Sequence, residues 1–281
     1  MLNLMYITNK LDVALVAEKY GVDRIWVDLE TLGKEERQKG MNTVKSNHSI
    51  DDIRCIKPHL TKSEMLVRVN PWNEKSLEEI NAVVSAGADI IMLPMWKSVE
   101  DVSNFLKAVD GRCKTTLLLE TKEAVESLDE VLDYGGMDEI HIGLNDLHLA
   151  YGMNFMFEPL ANGLVELILN KIKRIGIPYG FGGIAKLGDG LLPAEKIIME
   201  HYRFGSTRAI LSRTFCDNAV VNSIEEIDRV FKLNMDALRN YEVEVEKMKD
   251  IDFEKNKKEV VEKVAEVVAM LQKKRKESLK Q

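Results

Sequence analysis

Residues 115–152 read TTLLLETKEAVESLDEVLDYGGMDEIHIGLNDLHLAYG. The run Thr115 to Leu119 is apolar enough for a buried strand, and Glu120 follows it directly. Glu123 to Tyr134 has the apolar spacing of an amphipathic helix, Gly135-Gly136 is a turn, and Glu139 to Gly143 is a second strand. Asp146 follows that strand in a loop expected to run from Asn145 to Phe157. If the two strands are parallel neighbours, Glu120 and Asp146 emerge at the same edge of a sheet. That edge, at the carboxyl ends of the strands, is where α/β proteins keep their chemistry.

The same strand–helix unit recurs on both sides. Upstream, strands are expected at Leu2–Ile7, Ile25–Leu29, Met65–Val69 and Asp89–Leu93; downstream, at Ile177–Phe181, leading into a Gly182-Gly183 turn, and at Thr207–Leu211. Helices fall between them at Leu11–Tyr20, Ile50–His59, Glu74–Ala86, Ser98 to about Val109, Pro159–Ile175 and Pro193–Phe204. Thr31–Asn47 is a long polar connection, and loops of that length in compact domains are commonly functional. Eight alternations of this kind point to an α/β fold, a (β/α)8 TIM barrel with a C-terminal helical extension. An open doubly wound sheet is the alternative, but it has fewer strands, and no glycine fingerprint follows the first strand here. The expected division is 1–221 for the barrel and 222–281 for two long, charged, amphipathic helices. Val260, Val261, Val264, Val267, Val268 and Leu271 form an apolar stripe on the second, suited either to packing on the barrel or to association between copies.

Composition narrows the function. The chain has 281 residues, 45% hydrophobic, with a formal net charge of −7. It carries no basic footprint for nucleic acid. Cys55, Cys113 and Cys216 are too scattered for a CxxC metal site or a disulfide framework. Neither a signal-peptide pattern nor a membrane-length apolar run is present, so a cytoplasmic location is the expectation.

A carboxylate that closes an apolar strand must be solvated, paired or bound to a cation. Two such hard oxygen donors, Glu120 and Asp146, suit Mg²⁺ or Mn²⁺. Arg68, between apolar neighbours on the third strand, could present a forked donor to a carboxylate or enolate. On residue types alone the plainer readings stay open: Glu120 as a helix cap, Asp146 as a turn cap, Arg68 in a salt bridge with Asp28 or Glu30. There is no P-loop, no HExxH and no nucleophile motif.

VDLE at 27–30, LVRVN at 66–70, GADIIMLPM at 87–95, LLLET at 117–121 and IHIGLNDLHLAYG at 140–152 resemble, in this order, the HpcH/HpaI aldolase and citrate lyase β-subunit superfamily. The resemblance runs from about residue 20 to 215. It implies a phosphoenolpyruvate/pyruvate-type barrel and a homo-oligomer, trimeric or hexameric, with an exchanged C-terminal helix. It also implies a metal-dependent carbon–carbon lyase acting through an enolate of pyruvate or a related 2-oxo acid. Glu120 and Asp146 would hold the divalent metal, and Arg68 would support the developing oxyanion. Backbone groups near Pro94-Met95 and Gly182-Gly183 would seat the substrate carboxylate. Two departures stand out. Pyruvate aldolases of this group place a histidine after the second-strand acid, whereas Thr31 follows Glu30 here, leaving His48 or His59 as replacements beside Glu30. Lys34 and Arg37 are closer to the citrate lyase β branch, where basic residues contact an acyl carrier or a substrate carboxylate. A citrate- or CoA-ester-type lyase is therefore one alternative, and a barrel that has lost catalysis and serves binding or assembly is another.

Overall fold

The computed structural model describes residues 1–33, 47–216, 221 and 223–278. Its strands are β1 (Asn3–Ile7), β2 (Arg24–Asp28), β3 (Glu64–Arg68), β4 (Ile90–Leu93), β5 (Lys114–Leu119), β6 (Glu139–Ile142), β7 (Tyr179–Ile184) and β8 (Arg208–Leu211). They close in sequence order into one barrel, each parallel to its neighbours, with β8 returning to β1. The fold is thus a (β/α)8 barrel with C-terminal helices, as expected.

The helices are α1 (Leu11–Lys19), α2 (Ile50–Ile56), α3 (Ser76–Ala86), α4 (Val99–Val109), α5 (Lys122–Glu126), α6 (Leu128–Tyr134), α7 (Leu144–Ala150), α8 (Glu158–Ala161), α9 (Leu164–Lys173), α10 (Ala194–Phe204), α11 (Ile224–Val245) and α12 (Asp250–Ser278). The elements differ from expectation at several points, and the single helix expected over 123–134 is divided at Ser127 into α5 and α6. The loop expected after β6 opens with helix α7, because Leu144, Leu147 and His148 share a buried helical face. The single helix expected over 159–175 is split at Gly163, whose φ of +89° a right-handed helix does not admit. Gly182 and Gly183 lie inside β7 rather than in a turn after it.

Strand alternation sorts side chains into two cores. Leu4, Tyr6, Ile25, Val27, Val67, Ile91, Leu117, Leu119, Ile140 and Ile142 face outward into a continuous shell packed against the helices. Met5, Trp26, Leu66, Ile90, Met92 and Leu118 fill the barrel interior. Below them, at the amino ends of the strands, the interior is ionic. Arg24 reaches across to Glu139, donating to both carboxylate oxygens, and its Nε bonds Glu64 at 3.2 Å. Glu139 also accepts from Arg208 Nε at 2.8 Å and from Thr116 Oγ1 at 2.6 Å.

Helix α11 packs against α1 and α10, the position an eighth barrel helix takes. Tyr6 and Phe231 meet edge to face at 4.9 Å, and the buried Glu242 accepts the Leu2 N–H at 2.6 Å. Helix α12 lies on α10 and α8. Val260, Val264 and Val267 of the expected stripe are buried there, whereas Val261 is exposed. Asn256 Nδ2 bonds Glu200 Oε1 at 2.9 Å, and Lys257 pairs with Glu166 at 3.0 Å. Among the described residues no helix is long and apolar enough to cross a membrane.

Glu139 sets an acid limit on stability. Burial alone would raise its pKa, but Arg24, Thr116 and Arg208 hold it at about 2, below the carboxylate value of 4.5. Its contribution, roughly 3 kcal/mol for a shift of this size, is present above pH 4.5 and is lost as the pH falls towards 2. Glu139→Gln leaves the buried Arg24 with only its 3.2 Å contact to Glu64 and should cost about 3–5 kcal/mol at pH 7. Urea unfolding of both proteins from pH 7 down to pH 2 should show the gap closing across that acid window.

Candidate functional site

The carboxyl ends of the strands gather the acids. Glu120 directly follows β5 and points inward, being of the same parity as Leu118 and Thr116. It is 3% exposed. Asp146 stands in the first turn of α7, immediately after β6. Two backbone features seat Glu120 between its neighbours. Met95, after β4, adopts φ +53°, an uncommon conformation for a residue with a side chain, and its N–H donates to Glu120 Oε1 at 3.2 Å. Gly143, after β6, leaves the room the other oxygen uses: a Cβ there would lie 2.6 Å from Glu120 Oε2.

Arg68, the last residue of β3, is locked beside them. Its Nε and Nη2 each donate to one oxygen of Asp28 at 2.8 Å, a forked pair. Glu30 Oε2 is 3.3 Å from the same Nη2, and the guanidinium lies 5.1 Å above the Trp26 ring. Asp28 and Glu30 are both buried. The salt bridge that sequence left open is therefore formed, with both acids. Burial works against the charged guanidinium, but Asp28, then Glu30 and Glu120, outweigh it and raise its pKa.

Glu120 behaves in the opposite sense. Burial first, and the Asp146 carboxylate second, push its pKa well above the usual range, with Arg68 pulling it back. Asp146 is thus the charge that acts most strongly on Glu120. Two mutually repelling carboxylates in a buried cleft suit a small divalent cation, which takes one or two carboxylates and completes its shell with water and substrate oxygens. Among the described residues, no group of three or more His, Cys, Asp or Glu side chains is arranged to hold a metal ion.

The other expected residues divide. His48 reaches the site: its Nδ1 accepts the Asp28 backbone N–H at 3.0 Å, at the end of β2 and just before α2. That bond leaves the imidazole proton on Nε2. His59 sits in the turn before β3 begins, at the other end of the barrel, against Cys55 O. Thr31 is turned to β3, where its N–H and hydroxyl both meet Asn70 Oδ1. Pro94 is buried, and the Met95 amide expected to face substrate is engaged with Glu120. A Cβ on Gly183 would make ordinary contacts, 3.5 Å from Ile210 O and 3.8 Å from Ser212 Cβ, whereas a Cβ on Gly182 would lie 2.7 Å from Leu144 Cδ1. Arg37 and Lys34 lie outside the described residues.

Sequence reading missed His141, which faces the interior one step below Gly143 and is 1% exposed. The signal was its parity with Glu139 and Gly143. Its Nε2 lies 3.3 Å from the Gly182 carbonyl, and burial brings its pKa down to about 4. Two further clefts, of about 220 Å³ and about 700 Å³, lie between α12 and its neighbours, lined by residues such as Glu166 and Lys257, or Met199 and Tyr241. Neither includes the acids at the strand ends.

A closed parallel barrel with paired acids at its carboxyl end defines a class of barrel with an enzyme-like site. Within that class the chain belongs to the HpcH/HpaI aldolase/citrate lyase family, which residues 4–156 match. It is 24% identical over 184 residues to a hydroxypyruvate/pyruvate aldolase of Roseovarius nubinhibens, covering 53% of this chain and 70% of that one. It is 28% identical over 100 residues to a 2-keto-3-deoxy-L-rhamnonate aldolase of Escherichia coli, covering 35% of this chain and 36% of the relative. Among solved structures, an HpcH/HpaI aldolase/citrate lyase family protein from Burkholderia cenocepacia superposes with a TM-score of 0.59 at 14% identity, over 80% of this chain and 94% of that one. An HpcH/HpaI aldolase from Desulfitobacterium hafniense gives 0.55 at 16% identity, over 75% and 86%. These likenesses carry the fold.

The Glu120–Asp146 coupling can be tested without ligand. In chelator-treated protein, Asp146→Asn should lower the titration midpoint of Glu120, because it removes the strongest charge opposing ionisation. Infrared spectroscopy of the carboxyl band, with Glu120→Gln to assign it, reads this out; an unchanged midpoint would mean that the two groups do not face each other.

Proposed function

We propose that the chain is a divalent-cation-dependent carbon–carbon lyase that forms the enolate of pyruvate or a related small 2-oxo acid. The observation that carries this reading is the buried Glu120 carboxylate held against Asp146 at the strand ends, with a fixed guanidinium nearby. Membership of an aldolase and lyase family supports it. Glu120 and Asp146 are the residues that would hold Mg²⁺ or Mn²⁺, which when bound supplies Lewis acidity to the carbonyl and carboxylate oxygens of a chelating 2-oxo acid.

The remaining roles belong to the chain's own groups. Met95 N–H and the Gly143 gap orient Glu120. Arg68 is preorganised by Asp28 and Glu30, so its charge is in place before oxyanion character develops and needs little reorganisation. Glu30 acts here through Arg68. His48, anchored through Nδ1, carries an Nε2–H and is our proposed proton carrier between C3 of the 2-oxo acid and solvent. Gly183 remains the proposed seat of the substrate carboxylate, and Arg37 a proposed contact for a second acidic group. A homo-oligomer, and the barrel-plus-helices division at 221/222, belong to the same reading.

A second reading, a barrel retained for binding or assembly, draws on Thr31 standing where related aldolases carry histidine and on the full pairing of Arg68 with acids. Mn²⁺ titration separates the two. The parent should bind one equivalent, and Glu120→Gln or Asp146→Asn should weaken binding at least tenfold. With cation present, deuterium should enter the pyruvate methyl group, followed by proton NMR, and His48→Gln should slow that exchange by about 10²-fold, the scale of a lost general acid–base group. A parent that binds no Mn²⁺ and exchanges no methyl proton would sink the lyase reading.

A further inference from the structure

Strand β7 carries one residue more than its partner. Gly180 pairs with Arg208 and Gly183 with Ile210, so a step of three on β7 faces a step of two on β8. That count defines a β-bulge, a device that re-aims neighbouring groups. The bulge includes Gly182, at φ +53°, a conformation that favours glycine.

Two contacts hold it, and both come from the segment that carries Asp146. From below, His141 Nε2 meets the Gly182 carbonyl at 3.3 Å; a carbonyl only accepts, so Nε2 is the donor. From above, Leu144 fills the space a side chain on Gly182 would need, with its Cδ1 2.7 Å and its Cγ 3.3 Å from the position of such a Cβ. Leu144 is the buried first residue of α7, and Asp146 stands in the same helical turn. Gly143, between His141 and Leu144, is the residue against which Glu120 rests.

We propose that the Gly182 bulge is a positioning device for Asp146: His141 and Leu144 grip it from either side, and the grip fixes the first turn of α7 relative to Glu120. Gly182 then acts through Leu144 rather than by touching substrate. The inference rests on the cation-site reading above.

The test uses Gly182→Ala, Leu144→Ala and the double variant in the full chain. Two readouts are taken: hydrogen exchange of peptides covering 144–150 in metal-free protein, and Mn²⁺ affinity. Gly182→Ala should speed exchange at the start of α7 and weaken Mn²⁺ binding tenfold or more, the scale of a lost supporting contact. Leu144→Ala alone, which removes one side of the grip, should move both readouts in the same direction but less far, weakening Mn²⁺ binding by less than tenfold. In the double variant, removing the Leu144 atoms that a Cβ would strike should restore both exchange and affinity towards the Leu144→Ala values. Thermal melts of all three identify a variant that has failed to fold, and the double variant reports even where Gly182→Ala alone does not. Unchanged exchange and affinity in Gly182→Ala, or a double variant no better than Gly182→Ala, would overturn the proposal. A parent that binds no Mn²⁺ would overturn the cation reading itself, and the metal-free exchange data would show whether the grip exists apart from it.

Discussion

The carboxyl end of this barrel is governed by the difficulty of burying like charges together. Asp28, Glu30, Glu120 and Asp146 converge there, and the Arg68 guanidinium stands among them. In water such a group would be unremarkable; with solvent excluded, each unpaired charge is costly. The fold resolves this unevenly. Asp28 and Glu30 take the guanidinium, whereas Glu120 receives one backbone N–H and otherwise faces Asp146. Glu120 is thus the acid whose ionised form its surroundings disfavour, and a cation held with Asp146 would relieve it.

The other end of the same barrel handles buried charge differently. Glu139 accepts from Arg24, Arg208 and Thr116, and its pKa falls; Glu120, with mostly acidic company, has its pKa raised. Two glutamates in one β-barrel interior are thus driven in opposite directions by their neighbours. The contrast separates a group that holds the barrel together from one poised for chemistry. The apolar tier of Trp26, Leu66 and Leu118 keeps the two ends apart.

The alternation of strands and helices was legible because most strands are short apolar runs, and Glu120 and Asp146 were visible as acids at or just past the ends of two of them. Arg68 was legible as an inward cation, and its partners Asp28 and Glu30 were among the open choices. Helix α7 was not legible, because Gly143, Asn145, Asp146 and Gly152 are turn-forming types. What decides for a helix is the burial of Leu144, Leu147 and His148, which depends on neighbours distant in sequence. The β7 bulge was hidden for a similar reason: Gly180, Gly182 and Gly183 read as a turn until β8 supplies the register that makes one residue surplus. The Arg24–Glu139 bridge joins residues 115 apart and exists only once β2 and β6 face each other across a closed cylinder.

Helix α11 has a kinetic consequence. Phe231 covers Tyr6 of the first strand, and Glu242 takes the Leu2 amide across 240 positions of sequence. The β1–β8 seam and its covering helix are therefore very long-range contacts, and loop closure must precede any gain from them. During synthesis from the amino end, β1 waits with one edge unpaired until more than two hundred further residues have emerged. Pairing with β8 closes that edge, and α11 then covers the seam.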